Sequence, residues 1–327
     1  MFSIIAVNLL FLLLPGFIGR KTINYFSYSE KNKTFNYFLV DSFIIGTFSY
    51  SIVFIYKKIF SYPIFYFTAS IRNDKISINP EEIFWSIIVS FFFSIFYCYL
   101  KAPNFYKYER KFLVDLCNDL QNFLTSEDEV LILNLPPRHG KSRTVGNLVE
   151  WLLGRDINAK IMTGSYNETL STQFSKDVRN TIQEVKADKD KIVFSDIFPG
   201  VSIKQGDGAM NLWSLEGGYN NYLATAPGGT ATGFGCSLMI IDDLIKNAEE
   251  AYNANVLDKH WGWYAQTMLS RLEEGGKIII IMTRWVSGDL AGRAIEHYKE
   301  EGKKVKHIKM KAVQDDKGTM LCDEILS

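Results

Sequence analysis

The residues best suited to chemistry begin with a short segment that joins a strand-like run to a helix-like run. Gly140, Lys141 and Ser142 follow one another there, between the apolar runs 130–135 and 145–153. This order in a strand–loop–helix context is typical of a phosphate-binding loop, whose backbone N–H groups meet phosphate oxygens at a helix N-terminus. The lysine reaches the β- and γ-phosphates, and the hydroxyl holds Mg²⁺. The residues expected to contact a nucleoside triphosphate are Pro137, Arg138, His139, Gly140, Lys141, Ser142 and Arg143.

This segment departs from the usual pattern at its first position. Leu135 stands where a phosphate-binding loop normally has its first glycine. Pro136 and Pro137 fix the backbone φ angle, and we expect them to supply the turn instead. The alternative is a chance Gly-Lys-Ser tripeptide in a surface loop.

Two adjacent carboxylates follow a second strand-like run. Four apolar residues, 238–241, precede Asp242 and Asp243, which predicts a buried strand of a parallel sheet that ends in acids. Ligands of such sheets bind outside the carboxyl ends of the strands. We assign Asp242 to Mg²⁺, through its water shell, and Asp243 to the orientation or deprotonation of an attacking water. The alternative is a strand end with a solvated acidic turn.

A third strand-like run, 277–282, ends in Thr283, Arg284 and Trp285. The Thr283 hydroxyl lies at the tip of a strand that we expect beside the acidic strand, where it is well placed to sense a γ-phosphate. Arg284 either contacts phosphate or couples the site to a moving domain.

These three segments need a common scaffold. The alternation of strands with amphipathic helices predicts an α/β fold, a P-loop NTPase with a mainly parallel central sheet flanked by helices. Predicted strands lie at 130–135, 159–164, 211–215, 222–225, 237–244, 277–282 and 303–311, and predicted helices at 105–124, 145–153, 167–185, 255–272 and 288–300.

The first hundred residues have a different composition. Residues 1–111 contain twelve Lys and Arg against six Asp and Glu, whereas the whole chain has 36 of each. Three apolar runs, 2–18, 37–56 and 83–100, approach the roughly 20 residues that cross a bilayer as a helix. They predict about three transmembrane-like helices ahead of the ATP-binding part. Buried core helices are the alternative for each run.

The charges beside these runs favour one topology weakly, with the N-terminus outside and the ATP-binding part on the cytoplasmic side. The predicted domains are a membrane-like helical segment, 1–101, and a P-loop ATPase domain, 102–327. The run 13–21 resembles the start of a family of small, uncharacterised prokaryotic membrane proteins. The four cysteines show no metal-binding spacing, which indicates reduced thiols in an intracellular protein.

Five short motifs occur in an order that resembles the large subunit of tailed-phage DNA-packaging terminases. They are Pro-Pro-Arg-His-Gly-Lys-Ser at 136–142, Ile-Ile-Asp-Asp at 240–243, Ser-Arg-Leu at 270–272, Thr-Arg-Trp at 283–285 and Asp-Leu-Ala-Gly-Arg at 289–293. The resemblance covers about Tyr106 to Cys322 and implies an ATPase motor with ATP and Mg²⁺ as cofactors. It also implies a homo-oligomeric ring in the host cytoplasm. The implied partners are double-stranded DNA, a phage portal protein and a small terminase subunit.

The resemblance also assigns individual residues. It makes Arg138 the phosphate-loop arginine and residues 283–285 the motif that couples ATP to movement. The resulting catalytic assignments are Asp243, Lys141, Arg138, Thr283 and Arg284. The metal assignments are Ser142 and Asp242.

Two features depart from the terminase pattern. The family continues into a nuclease domain of ribonuclease-H type, which we expect to be absent here, so no intrinsic DNA cleavage is predicted. The membrane-like segment is best explained by fusion, rearrangement or a misjoined reading frame.

The leading function is therefore ATP-driven translocation of double-stranded DNA into a procapsid. The alternatives are a membrane-tethered P-loop NTPase of transport or phage defence, and a non-functional remnant. The lysines of 303–311 are a candidate DNA contact, and a solvated edge strand is the alternative for them.

Overall fold

The computed structural model describes residues 95–322, except residues 189, 190, 208, 230 and 317. These residues belong to the second of the two units into which the chain divides, Phe84–Ser327. A π-helical turn, Trp263–Met268, and a 3₁₀ turn, Leu269–Arg271, precede the longest strand. In chain order the helices and strands are α1 Ile95–Lys101, α2 Lys111–Thr125, β1 Val130–Asn134, α3 Lys141–Arg155, β2 Ile161–Ser165, α4 Glu168–Ile182, α5 Phe194–Ile197, β3 Leu212–Trp213, β4 Tyr222–Thr225, β5 Cys236–Asp242, α6 Ala248–Ala251, α7 Ala254–Gly262, β6 Leu272–Ile281, α8 Leu290–Glu300 and β7 Val305–Lys309.

The strands form one 7-stranded sheet in the order β3-β4-β2-β5-β6-β1-β7. Neighbouring strands are parallel except for β3 and β4, which are antiparallel. All five residues of β1 are buried, as expected for a parallel strand that is covered on both faces. The described part of the chain is therefore a mixed α/β structure with a mainly parallel sheet flanked by helices.

The three strands that carry the predicted site lie side by side within the sheet. Asp242 of β5 pairs with Ile281 of β6, and Ile281 pairs with Leu133 of β1. Because the three strands are parallel, their carboxyl ends lie at one edge of the sheet. We call the edge formed by the carboxyl ends of β1, β5 and β6 the site edge.

Helices cover the two faces of the sheet with separate groups of apolar side chains. In β1, Leu131 and Leu133 belong to one group, and Val130 and Ile132 belong to the other, since successive side chains of a strand point to opposite faces. The first group includes the buried residues of α2 and α3, and the second includes residues of α8. This two-sided core fixes the strands whose ends form the site edge.

The predicted helices 105–124 and 255–272 differ most from the helices in the structure. The helix predicted at 105–124 begins only at Lys111, because the residues before it form turns such as the one closed by the Tyr106 N–H and the Ala102 carbonyl at 3.0 Å. The helix predicted at 255–272 leaves the α form after Gly262. It continues as π and 3₁₀ turns, so that β6 begins at Leu272.

The predicted transmembrane-like helices need correction. The runs 2–18 and 37–56 lie outside the described residues, and only the end of the run 83–100 is described, as the seven-residue helix α1. Its Tyr97 and Cys98 are buried in the apolar group that also holds α2 and α3. No helix in residues 95–322 combines the length and the apolar character that crossing a bilayer requires. The prediction of a membrane-like helix is therefore wrong for this part, because Tyr97 and Cys98 pack against protein. The predicted domains, 1–101 and 102–327, stay a prediction.

Candidate nucleotide-binding site

The loop between β1 and α3 has the backbone of a tight phosphate-binding turn. Arg138 and Gly140 have φ angles of 65° and 79°, in the left-handed region that glycine adopts most readily. Gly140 caps α3, and its carbonyl accepts the Thr144 N–H at 2.8 Å. A Cβ atom at Gly140 would lie 2.6 Å from the Phe105 ring. A glycine is therefore needed at 140 for both conformation and space.

The missing first glycine of the pattern has a structural explanation. Leu135 is only 2% exposed and belongs to the core, so it does not approach the cleft. The turn lies at residues 137 and 138, which agrees with the expectation that the prolines start it.

Lys141 reaches from the start of α3 to the ends of β5 and β6. Its Nζ lies 2.9 Å from Asp243 Oδ2, and it donates a hydrogen bond to Thr283 Oγ1. The lysine side chain is 8% exposed, against 33% for Asp243. The three residues therefore meet at the site edge, where the sequence predicts them.

Ser142 and Asp242 form a second contact across the same edge. Ser142 Oγ donates to Asp242 Oδ1 at 2.8 Å. Burial of the carboxyl group and then the neighbouring charge of Asp243 raise the pKa of Asp242 to about 7, although the Ser142 hydrogen bond lowers it. A hydroxyl and a carboxylate are the hard oxygen donors that Mg²⁺ prefers. The donor set thus fits a magnesium ion, which Ser142 and Asp242 would hold.

Asp243 has an unusual backbone for a non-glycine residue, with φ at 45°. Its N–H donates to the Ile281 carbonyl at 2.9 Å, which keeps it beside β6 after β5 has ended. Its Oδ1 accepts the backbone N–H of Thr283 at 2.8 Å. Left-handed non-glycine residues often occur at functional sites, and here the conformation turns the carboxylate toward Lys141.

An open cleft of about 560 Å³ lies over these residues. The phosphate loop forms one side of it, and the segments that follow β5 and β6 form the other. Residues that line it include Arg138, Lys141, Arg143, Asp243, Lys246 and Thr283. The cleft is therefore rich in cations, which suits a polyphosphate.

Arg143 lies at the aromatic border of this cleft. Its guanidinium carbon is 5.2 Å from the centre of the Phe105 ring and 5.7 Å from that of Tyr106. Phe105 also lines the cleft, and the sequence alone did not indicate it. The contact exists because a turn brings residues 102–110 back over the phosphate loop, and this turn has no sequence signature that we recognised.

Three predicted site residues do not line the cleft: Asp242, which contacts the lining residue Ser142, and His139 and Arg284. His139 is fully buried, with Nδ1 2.9 Å from the Pro137 carbonyl oxygen and its ring 5.7 Å from that of Phe112. Arg284 does not line the cleft, because its Nε donates to buried Asp289 at 2.9 Å. His139 therefore packs between the loop and the core, and Arg284 stabilises the segment between β6 and α8 through Asp289.

The comparisons with known proteins give a partial structural similarity. No protein-family model matches the chain, and no curated protein matches it. The crystal structure of the HK97 bacteriophage large terminase has a TM-score of 0.37 and 15% identity, over 62% of this chain and 39% of that one. A DEAD box protein from the hyperthermophile Methanococcus jannaschii has a TM-score of 0.33 and 12% identity, over 60% of this chain and 48% of that one. This chain thus covers less than half the length of either protein.

Proposed function

We propose that this chain is a Mg²⁺-dependent ATPase of the P-loop class. The observation that carries the proposal is the convergence of Lys141 and Ser142 with Asp242 and Asp243 at the site edge. The four residues come from two distant segments of the sequence. Their types are those needed to bind a nucleoside triphosphate with magnesium.

Each residue has a role that follows from its position. Backbone N–H groups at the start of α3 bind phosphate oxygens, and Lys141 neutralises charge on the phosphates. Ser142 and Asp242 hold Mg²⁺, which supplies further charge neutralisation when it is bound. Asp243 orients the attacking water and accepts its proton. The Thr283 hydroxyl, which accepts a hydrogen bond from Lys141, is proposed to contact the terminal phosphate.

We further propose that ATP hydrolysis drives translocation of double-stranded DNA, as in a packaging motor. The order of the five sequence motifs supports this assignment. The motor would be a homo-oligomeric ring that acts with a portal protein and a small terminase subunit. Arg138, which lines the cleft, is proposed as a phosphate contact, and Arg284 as a residue that couples the site to movement.

The strand β7 and its flanks offer only part of the predicted DNA contact. The strand lies at the edge of the sheet, and its Lys306 pairs with Asp119 at 2.6 Å. The preceding Lys304 pairs with Glu127. Lysines with carboxylate partners are less available to phosphates, so the edge-strand interpretation is favoured for these two lysines, whereas Lys309 and Lys311 are exposed and are the proposed DNA contacts.

The test is the rate of ATP hydrolysis by the full chain, with and without Mg²⁺ and double-stranded DNA. We expect turnover that needs Mg²⁺, rises with DNA, and falls at least about 100-fold in Lys141→Ala, since the lysine stabilises the transferred phosphoryl group. Lys204→Ala, an exposed lysine that does not line the cleft, is the matched control. Turnover that DNA leaves unchanged would contradict translocation but not the ATPase. A folded chain without turnover would contradict both.

A further inference from the structure

One cation at the cleft has no role in the assignments above. Lys246 lies in the segment between β5 and α6, and it lines the cleft together with Asp243 and Thr283. Its backbone N–H donates to Glu250 Oε2 at 2.9 Å, and the Glu250 N–H donates to Asn247 Oδ1 at 3.0 Å. These two bonds fix the backbone from which the lysine side chain extends.

The Lys246 ammonium group forms no ion pair within the described residues. Other lysines at the surface, such as Lys160 and Lys191, form ion pairs with glutamates, and Lys141 pairs with Asp243. Lys246 is exposed, and no described carboxylate forms an ion pair with it. Its ammonium group is therefore available to an anion that enters the cleft.

The charges around the cleft are strongly unequal. Arg138, Lys141, Arg143 and Lys246 line it, whereas Asp243 is its single carboxylate among the described lining residues. Such an excess of cations attracts phosphate groups. Lys141 already has a carboxylate partner, so Lys246 adds charge that the phosphate loop does not provide.

The position of Lys246 in the cleft indicates which phosphate group of a triphosphate it would contact. The phosphate loop and the start of α3 are on one side of the cleft, while Lys246 follows the acids on the other side. A phosphate chain that starts at the loop extends toward the acids, because the terminal phosphate must meet the water that Asp243 orients. We therefore expect the segment after β5, whose Asp243 and Lys246 both line the cleft, to face the terminal phosphate.

We propose that Lys246 binds the terminal phosphate and makes the site prefer a nucleoside triphosphate over a diphosphate. This inference rests on the proposed ATPase function. A diphosphate lacks the group that Lys246 would contact, so the lysine should affect the two ligands differently.

The experiment measures the affinity of the full chain for a non-hydrolysable ATP analogue and for ADP, each with Mg²⁺. We expect Lys246→Ala to weaken binding of the analogue about tenfold, the loss of one charge-assisted contact, and to change ADP binding less than about twofold. Lys246→Arg should retain most of the preference, and Lys204→Ala should leave both affinities unchanged.

The outcomes separate this inference from the proposed function. If Lys141→Ala weakens both ligands while Lys246→Ala weakens them equally or not at all, the role of Lys246 is overturned and the ATPase assignment stands. If the unmodified chain binds neither ligand, the proposed function itself fails.

Discussion

Lys141 and Asp243 form an ion pair, with 2.9 Å between Nζ and Oδ2. The lysine begins α3 and the aspartate follows β5, so the pair joins the phosphate loop to the site edge. The same carboxylate accepts the backbone N–H of Thr283 through Oδ1 at 2.8 Å. Asp243 therefore has a positioning contact that needs only an acceptor oxygen, and its proposed role as a general base needs a charge.

Asp243→Asn separates these two properties. Asparagine keeps an acceptor oxygen for the Thr283 N–H but is not a general base. We expect ATP binding within about threefold of the unmodified chain and turnover at least about 100-fold lower, the usual size of a general-base contribution. Equilibrium binding and the steady-state rate test this directly. Asp258→Asn, at an aspartate whose side chain is 65% exposed, is the control, and normal turnover in Asp243→Asn would remove Asp243 from the mechanism.

The raised pKa of Asp242 predicts a pH dependence of stability. Burial and the charge of Asp243 raise this pKa to about 7, above the roughly 3.9 of an unfolded aspartate. The folded chain therefore binds the proton more tightly, and the contribution of Asp242 to stability is lost as the pH rises from about 4 to about 7. Denaturant unfolding without Mg²⁺ at several pH values measures this contribution.

Asp242→Asn isolates that contribution from those of other groups. The variant has no titrating group at 242, so the difference in unfolding free energy between the two chains should change between about pH 4 and about pH 7 and stay level above it. A difference that is constant across this range would contradict the raised pKa.

The sequence predicts β1 and β4 well because both strands are short, apolar and continuous, whereas β6 begins at Leu272, before the predicted run 277–282. β1 and β4 lie where the runs at 130–135 and 222–225 predict them. The proximity of Lys141 to Asp243 also follows from sequence, because parallel strands bring their carboxyl ends to one edge. These inferences need only strand direction, which the strand–helix alternation supplies.

Other parts of the site depend on tertiary contacts that no local pattern encodes. Phe105 reaches the cleft because the chain turns before α2, and His139 is buried although its neighbours Arg138 and Gly140 line the cleft. The apolar run 83–100 has the composition of a spanning helix, yet Tyr97 is buried against protein. An apolar composition predicts that a segment is shielded from water, but it does not indicate whether lipid or protein shields it.

Gly140→Ala should weaken nucleotide binding through two separable effects. The φ angle of 79° costs a non-glycine residue roughly 1–2 kcal/mol, and the new Cβ would lie 2.6 Å from the Phe105 ring. Gly228→Ala is the matched control, since its φ angle is 93° but no atom lies within 4 Å of its Cβ position. We expect both variants to lose stability and only Gly140→Ala to lose ATP affinity, measured by thermal unfolding and by nucleotide titration. Equal ATP affinities of Gly140→Ala and the unmodified chain would contradict the predicted loss of nucleotide binding.

Lys101→Met should destabilise the chain at residues that do not line the cleft. Lys101 pairs with Glu150 of α3, whose side chain is only 4% exposed, and it also donates to Thr181 Oγ1 of α4 at 3.2 Å. Burial raises the pKa of Glu150 and Lys101 opposes that shift, so loss of the lysine leaves a buried acid without its cation. Breaking such a pair costs about 3 kcal/mol of unfolding free energy. The control is Lys160→Met, which breaks an ion pair with Glu273 whose two side chains are 34% and 43% exposed. This substitution should cost less than about 1 kcal/mol. Urea unfolding measures both, and similar small losses would show that α1 does not depend on this ion pair.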